Sequence, residues 1–246
     1  GYDFEGWYVN GNKISNEKLY RFAVKEDTTI EARYKVCTHS KTSNKVVTKA
    51  TLNKNGQIAY KCSICGKNLG TVIYYPKTIS LSKTKFTYNK KVQKPTITVK
   101  DSNGKVLKEG TDYTVTYSNK KSKNVGQYQV TVTFKGNYSG TKKLTYKINP
   151  KGTSLKKVTK GKKQFKATWK AQKTQTTGYQ IQYSTNKNFK SGNKTVKVNN
   201  NKTTSRTVKK LKAKKKYYVR IRTYKTVNGK TYYSGWSKVK NVTTKK

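Results

Sequence analysis

Tyr179-Gln180-Ile181-Gln182-Tyr183 exchanges apolar and polar side chains at every step, and Tyr217-Tyr218-Val219-Arg220-Ile221-Arg222 behaves similarly. A period of two sends successive side chains to opposite faces of an extended chain, so both stretches read as half-buried β-strands. In the second, Val219 and Ile221 are expected inward, Arg220 and Arg222 outward. The same character extends through the rest of the chain. Tyrosine is abundant at 20 residues, Thr and Val are common and Leu is sparse. No stretch carries the 3.6-residue period of an amphipathic helix. The three prolines are Pro76, Pro95 and Pro150, and the first and last fall where one module would join another. The expected fold class is all-β, a series of small β modules in tandem.

Charge narrows the function. Fifty-seven basic residues face nine acidic ones, for a formal charge of +48. The acids are Asp3, Glu5, Glu17, Glu26, Asp27, Glu31, Asp101, Glu109 and Asp112, and none follows Tyr113. The C-terminal half therefore lacks a carboxylate pair for glycoside hydrolysis, and neither a Ser-His-Asp nor a Cys-His arrangement can form there. Lysine is the only candidate base, and no lysine is marked out as buried. The chain is expected not to be an enzyme.

The cations are nearly all lysine, the arginines being Arg21, Arg33, Arg206, Arg220 and Arg222. Lysines on strand faces keep β edges from pairing with other chains. Together they also make a diffuse, salt-sensitive positive field. That field would draw an anionic polymer such as wall teichoic acid, an acidic glycan or nucleic acid. Base-specific nucleic-acid recognition is not expected, because bidentate readout favours arginine and no recognition motif is present. No 18-residue apolar run could span a membrane as a helix. With no methionine anywhere, the chain reads as a monomeric fragment of a longer protein.

Cys37, His39, Cys62 and Cys65 are the only cysteines and histidine. They form a C-x-H pair and a C-x-x-C pair. Between the pairs lie two strand-like runs, Lys45–Leu52 and Gln57–Lys61, joined by Asn53-Lys54-Asn55-Gly56. Asn-Gly is a hairpin signal, and a hairpin brings both pairs to one end. The set matches a Cys₃His structural zinc site, closed by four protein ligands and so without a catalytic position. Gly66, after the second pair, is suited to the left-handed conformation that turns backbone N–H groups toward a thiolate. The alternative is a Cys62–Cys65 or Cys37–Cys62 disulfide with one thiol left over.

Several stretches resemble known modules. Gly1-Tyr2-Asp3-Phe4-Glu5-Gly6-Trp7-Tyr8 and Thr28-Thr29-Ile30-Glu31-Ala32-Arg33-Tyr34 make residues 1–36 resemble the second half of an internalin-B-type (Listeria–Bacteroides) repeat, with Phe4, Trp7 and Tyr8 as core aromatics of a small sheet. Residues 37–75 resemble small zinc-ribbon-like modules of Gram-positive surface proteins. At that size burial alone is too little, and a metal or a bridge is expected. Residues 76–149 resemble a bacterial Ig-like repeat of the MBG type, through Gly110-Thr111-Asp112-Tyr113, Val125-Gly126-Gln127-Tyr128 and Gly136-Asn137-Tyr138-Ser139-Gly140. Residues 150–246 resemble a fibronectin type III domain. There Trp169 matches the core tryptophan, Gly178–Ser184 the third strand, and Leu211 with Tyr217 the tyrosine corner. Ser234-Gly235-Trp236-Ser237 matches the bend before the last strand. No Arg-Gly-Asp tripeptide supports integrin-type adhesion.

These resemblances imply a non-catalytic C-terminal stalk or interaction region of an exported bacterial surface protein of the Gram-positive type. It would space or tether an upstream domain, with diffuse affinity for anionic wall polymers or glycans. The alternative is a set of accessory modules of a secreted cell-wall hydrolase or carbohydrase whose catalytic domain lies upstream. A weaker reading makes Tyr232, Tyr233 and Trp236 an aromatic carbohydrate platform.

Overall fold

The computed structural model describes residues 1–246 as twenty β-strands with no helix, so the all-β expectation holds. Strands β1 (Tyr2–Val9), β2 (Asn12–Ser15) and β3 (Glu31–Val36) form an antiparallel sheet in the order β2-β1-β3. Next, β4 (Val46–Thr48), β5 (Gly56–Ala59) and β6 (Thr71–Ile73) form a second antiparallel sheet in chain order. Then follow β7 (Pro76–Leu81), β8 (Lys85–Thr87), β9 (Ile97–Asp101), β10 (Tyr113–Tyr117), β11 (Gly126–Phe134) and β12 (Thr141–Asn149). They make a β10-β11-β12-β8 sheet, in which β8 lies parallel to β12, and a β7-β9 pair.

The last eight strands are β13 (Leu155–Gly161), β14 (Gln164–Trp169), β15 (Gly178–Ser184), β16 (Lys194–Val198), β17 (Ser205–Val208), β18 (Lys216–Val227), β19 (Lys230–Tyr233) and β20 (Lys240–Thr243). They form a three-stranded sheet, β13-β14-β17, and a five-stranded one, β16-β15-β18-β19 with β20 also on β18. Phe165, Ala167 and Trp169 come from the first sheet, Tyr179, Ile181, Val219 and Ile221 from the second; all are at most 1 % exposed and belong to one core. The larger of these side chains each contribute on the order of 1.5–3 kcal/mol by leaving water, and Ala167 less. Val219 and Ile221 do point inward, as their spacing requires. The expected tyrosine corner is also present: Tyr217 is buried, and its hydroxyl accepts the Lys212 N–H at 3.2 Å.

The chain divides into two compact units. Unit 1 comprises residues 1–79, 99–114 and 133–141; unit 2 comprises 80–98, 115–132 and 142–246. In unit 2, Val130, Tyr146 and Ile148 form a second core flanked by Phe86, Tyr88 and Tyr128. Unit 1 is poorer in core. Among residues 1–75 the only buried hydrophobic side chains are Cys37, Ala50, Cys62 and Ile73. Phe4, Trp7 and Tyr8 are half-buried, not a closed core. Phe4 meets Trp7 and Tyr34 edge-on at 5.5 Å, and Arg33 covers the Tyr8 ring at 4.3 Å.

The hairpin between the ligand pairs is shorter than its sequence suggests. Its first strand stops at Thr48, because Ala50 leaves it to bridge Tyr138: Ala50 N–H donates to the Asn137 carbonyl and Ser139 N–H to the Ala50 carbonyl, at 2.9 and 2.8 Å. Gly56 is not the left-handed residue of an Asn-Gly turn. It opens β5, and a Cβ there would stand 2.2 Å from the Thr48 carbonyl oxygen and 2.4 Å from the Ala50 nitrogen. Glycine is needed for close backbone approach.

Candidate metal centre

Cys37 follows the last residue of β3, and its N–H donates to the Gly1 carbonyl at 3.2 Å. Two residues on, His39 takes a left-handed backbone (φ 58°). The second pair sits on the turn after β5. Its backbone is stitched to the first pair's segment: Ser63 N–H donates to the Lys41 carbonyl at 3.0 Å, and Ser43 N–H to the Lys61 carbonyl at 2.8 Å. Cys62 N–H reaches the Lys67 carbonyl and Gly66 N–H the Cys62 carbonyl, closing the loop around the C-x-x-C pair. Gly66 has φ 72°, the left-handed conformation its position called for.

All four side chains meet. Cys37 Sγ lies 3.5 Å from Cys62 Sγ, and Cys65 Sγ lies 3.5 Å from His39 Nδ1. The four ligand atoms are all within 4.8 Å of one another. Metal–sulfur bonds of about 2.3 Å and metal–nitrogen bonds of about 2.0–2.1 Å place tetrahedral neighbours about 3.6–3.8 Å apart; the Cys37–Cys62 and Cys65–His39 contacts are close to this, and the other pairs stay within 4.8 Å. A disulfide needs sulfurs about 2.05 Å apart; the three cysteines are free thiols. Cys37 and Cys62 are buried, Cys65 and His39 partly so. Gly1 completes the wall, since a Cβ there would stand 2.5 Å from Cys65 Sγ.

The two buried thiols differ in acidity. Cys62 is lowered to about 6, chiefly because the Cys65 N–H points at its sulfur, with help from His39, the Ile64 N–H and Cys37. Cys37 is raised, first by burial. Of the two, Cys62 would be the readier thiolate for a metal, and Cys37 would have to give up its proton to bind one. The donor set, its spacing and its closure fit a metal ion held by protein alone.

A second arrangement went unseen in the sequence. Arg220 and Arg222 project from β18, and both guanidinium groups lie over the Trp236 ring, 4.6 and 4.3 Å from its centroid. Arg220 also covers Phe189 at 4.0 Å, and Arg222 covers Tyr233 at 3.8 Å. The result is a ladder, Phe189–Arg220–Trp236–Arg222–Tyr233. Gln182 and Gln180 fix the arginines by accepting from their Nε atoms at 2.7 Å. Of the three residues of the aromatic platform expectation, Tyr232 is buried and so cannot take part, and the Trp236 ring is engaged by Arg220 and Arg222.

Residues 149–241 match the fibronectin type III domain. Among solved structures, the chain is similar to the FN1–FN3 domains of chicken CNTN1, at 14% identity over 78% of each chain with a TM-score of 0.36. It is also similar to a segment of two fibronectin type III domains from chicken tenascin, at 17% identity over 70% of this chain and 99% of that one with a TM-score of 0.37. No curated protein matches the chain. No helix of the structure is long and apolar enough to cross a membrane.

Proposed function

We propose that this chain is a non-catalytic spacer and interaction region of an exported bacterial surface protein, drawn to anionic wall polymers by the surface of unit 2. The carrying observation is how charge divides between the units. All nine acidic residues fall in unit 1, and unit 2 holds no side-chain carboxylate. The chain's one ion pair, Arg33–Glu31, is in unit 1 as well. Every lysine of unit 2 therefore presents its charge without an acidic neighbour in that unit. Such a surface takes a polyanion through many weak contacts, whose sum weakens steeply as salt screens it. Binding of the full chain to isolated Gram-positive walls should fall sharply from low to moderate salt. It should fall again once teichoic acids are stripped, while single Lys→Ala changes each matter little. Binding that survives high salt and vanishes on one substitution would overturn this reading.

The same reading gives Cys37, His39, Cys62 and Cys65 a structural zinc ion. Two of the four buried hydrophobic side chains among residues 1–75 are Cys37 and Cys62. A segment with so little apolar burial gains from a metal what it lacks in core. When bound, zinc would staple β3 and the β4–β6 sheet, with no free position for catalysis. Metal analysis of protein purified without chelator should give one equivalent. A metal-free sample with the same melting profile with and without chelator would refute the assignment.

A further inference from the structure

Unit 2 contains a concavity of about 590 Å³ walled by the turn after β8, the segment before β13 and the loop after β14. Its lining includes Tyr88, Asn89, Lys90, Lys151, Gln172 and Thr174. We infer that this concavity is a binding subsite for a hydroxyl-rich unit bearing a carboxylate or phosphate, as found along an acidic glycan or a polyol-phosphate chain. The inference rests on the polyanion reading above and gives it one defined place.

The backbone of the walls is anchored at several points. Tyr88 packs on the Val130–Tyr146–Ile148 core, and its N–H donates to the Asn149 carbonyl at 2.8 Å. Asn89 Oδ1 accepts the Lys91 N–H, which holds the turn and leaves the amide NH₂ free to donate. Lys90 sits in a left-handed backbone conformation, φ 69°, uncommon for a residue with a Cβ. The Lys151 carbonyl accepts the hydroxyl of fully buried Thr223 at 2.8 Å, and Gln172 N–H donates to the hydroxyl of buried Tyr179 at 2.8 Å. Backbone groups are thus spent on the scaffold. The polar ends of the Tyr88, Lys90, Lys151, Gln172 and Thr174 side chains make no hydrogen bond within the protein.

That inventory specifies the ligand. A carboxamide offers a donor and an acceptor together, and a threonine hydroxyl does the same, which suits vicinal hydroxyls. A tyrosine ring supplies an apolar surface with a polar tip. Two lysines, with no carboxylate anywhere in the unit to neutralise them, select an anion. An apolar ligand would strand all of these groups without partners.

The test uses the full chain in about 0.3 M salt, where the Debye length is already well below 10 Å and diffuse attraction is suppressed. Oligogalacturonate, oligo(glycerol phosphate), inorganic phosphate and a neutral maltooligosaccharide are titrated separately, with binding read by calorimetry and by backbone amide shifts. One or both acidic oligomers should saturate a single site and shift amides at residues 87–90 and 172–174. The two arms distinguish a uronate from a polyol-phosphate source, and inorganic phosphate alone should bind far more weakly. Gln172→Ala and Lys151→Ala should each weaken saturable binding roughly tenfold, the loss of one charged or paired hydrogen bond. Lys240→Ala, on β20, should leave it unchanged. Binding at low salt that yields no saturable site in moderate salt would overturn the subsite and leave the diffuse reading standing. Absence of binding at any salt would overturn both. Equal binding of the neutral sugar would overturn the anion selectivity.

Discussion

Tyr217→Phe removes one oxygen and nothing else from the core of the C-terminal sandwich. Its ring meets Tyr183 edge-on at 6.1 Å, a contact phenylalanine keeps. What disappears is the hydroxyl that accepts the Lys212 N–H at 3.2 Å. Tyr217 is 7 % exposed, but Lys212 is exposed, so water can partly take the hydroxyl's place. The loss should then be about 1 kcal/mol, that of one hydrogen bond. For a domain of this size, each 1 kcal/mol lowers Tm by about 4–8 °C. Urea unfolding read by tryptophan fluorescence suits the measurement, because Trp169 is buried in the same core. The midpoint should drop while the slope is unchanged, since the same surface is exposed on unfolding. Tyr217→Ala should cost about 3–5 kcal/mol, adding the loss of ring packing. Tyr218, half-buried on the opposite face of the strand, is the control, and Tyr218→Phe should cost less than about 0.5 kcal/mol. If Tyr217→Phe and Tyr218→Phe shift the midpoint equally, the hydroxyl is not holding the corner and the account fails.

Three further outcomes follow from particular contacts. Gly56→Ala should destabilise the β4–β6 sheet and reduce metal retention, because the atoms a Cβ would meet at 2.2 and 2.4 Å are backbone; unchanged chelator resistance would refute this. Trp236→Ala should cost about 1–2 kcal/mol from two guanidinium–ring contacts, visible as a lower unfolding midpoint, while wall binding stays the same. Tyr183 and Tyr224 are raised above the ordinary phenol value, first by burial. Their folded pKa values exceed the unfolded ones, so their contribution to stability is complete below about pH 10 and is lost as pH rises through the folded values. Tyrosinate absorbance should show a late-titrating class on alkaline titration of the native chain, and a single class near 10 would refute the burial.

Much of the C-terminal half can be read from local rules. Alternation fixes which face of β18 carries Val219 and Ile221, and the six-residue step from Leu211 to Tyr217 foretells the corner. The convergence of Cys37, His39, Cys62 and Cys65 is legible because they are the chain's whole stock of cysteine and histidine. The ladder was not legible, although its arginines were correctly turned outward. It needs the register of β18 against the 234–237 bend, and Phe189 delivered by a loop whose backbone at that residue is left-handed (φ 56°). Ala50 pairing with Tyr138 is likewise a contact between distant segments, which no local pattern announces. The charge partition was half visible. The absence of acids after Tyr113 is plain in the sequence, but Asp101, Glu109 and Asp112 join unit 1 only through the path of the chain.

That partition bears on folding as well as on the proposed wall binding. Unit 2 packs lysines and arginines around two apolar cores with no carboxylate between them, so its folded state carries self-repulsion that the expanded chain largely escapes. Burial of Trp169, Tyr179, Phe165 and their neighbours outweighs that repulsion but does not remove it. Raising salt from about 0.01 M to 0.15 M shortens the Debye length from about 30 to about 8 Å and screens most of it. The melting temperature of unit 2 should therefore rise over the range in which wall binding falls. One cause drives both, and the two curves should move in opposite directions. Chloride suffices for the test, since sulfate and phosphate also strengthen apolar burial by exclusion from the surface. A melting temperature that stays flat or falls in chloride, while wall binding still weakens, would mean that the unit 2 lysines are too widely spread to repel one another. Wall attraction would then have to come from a local cluster, not from the surface as a whole.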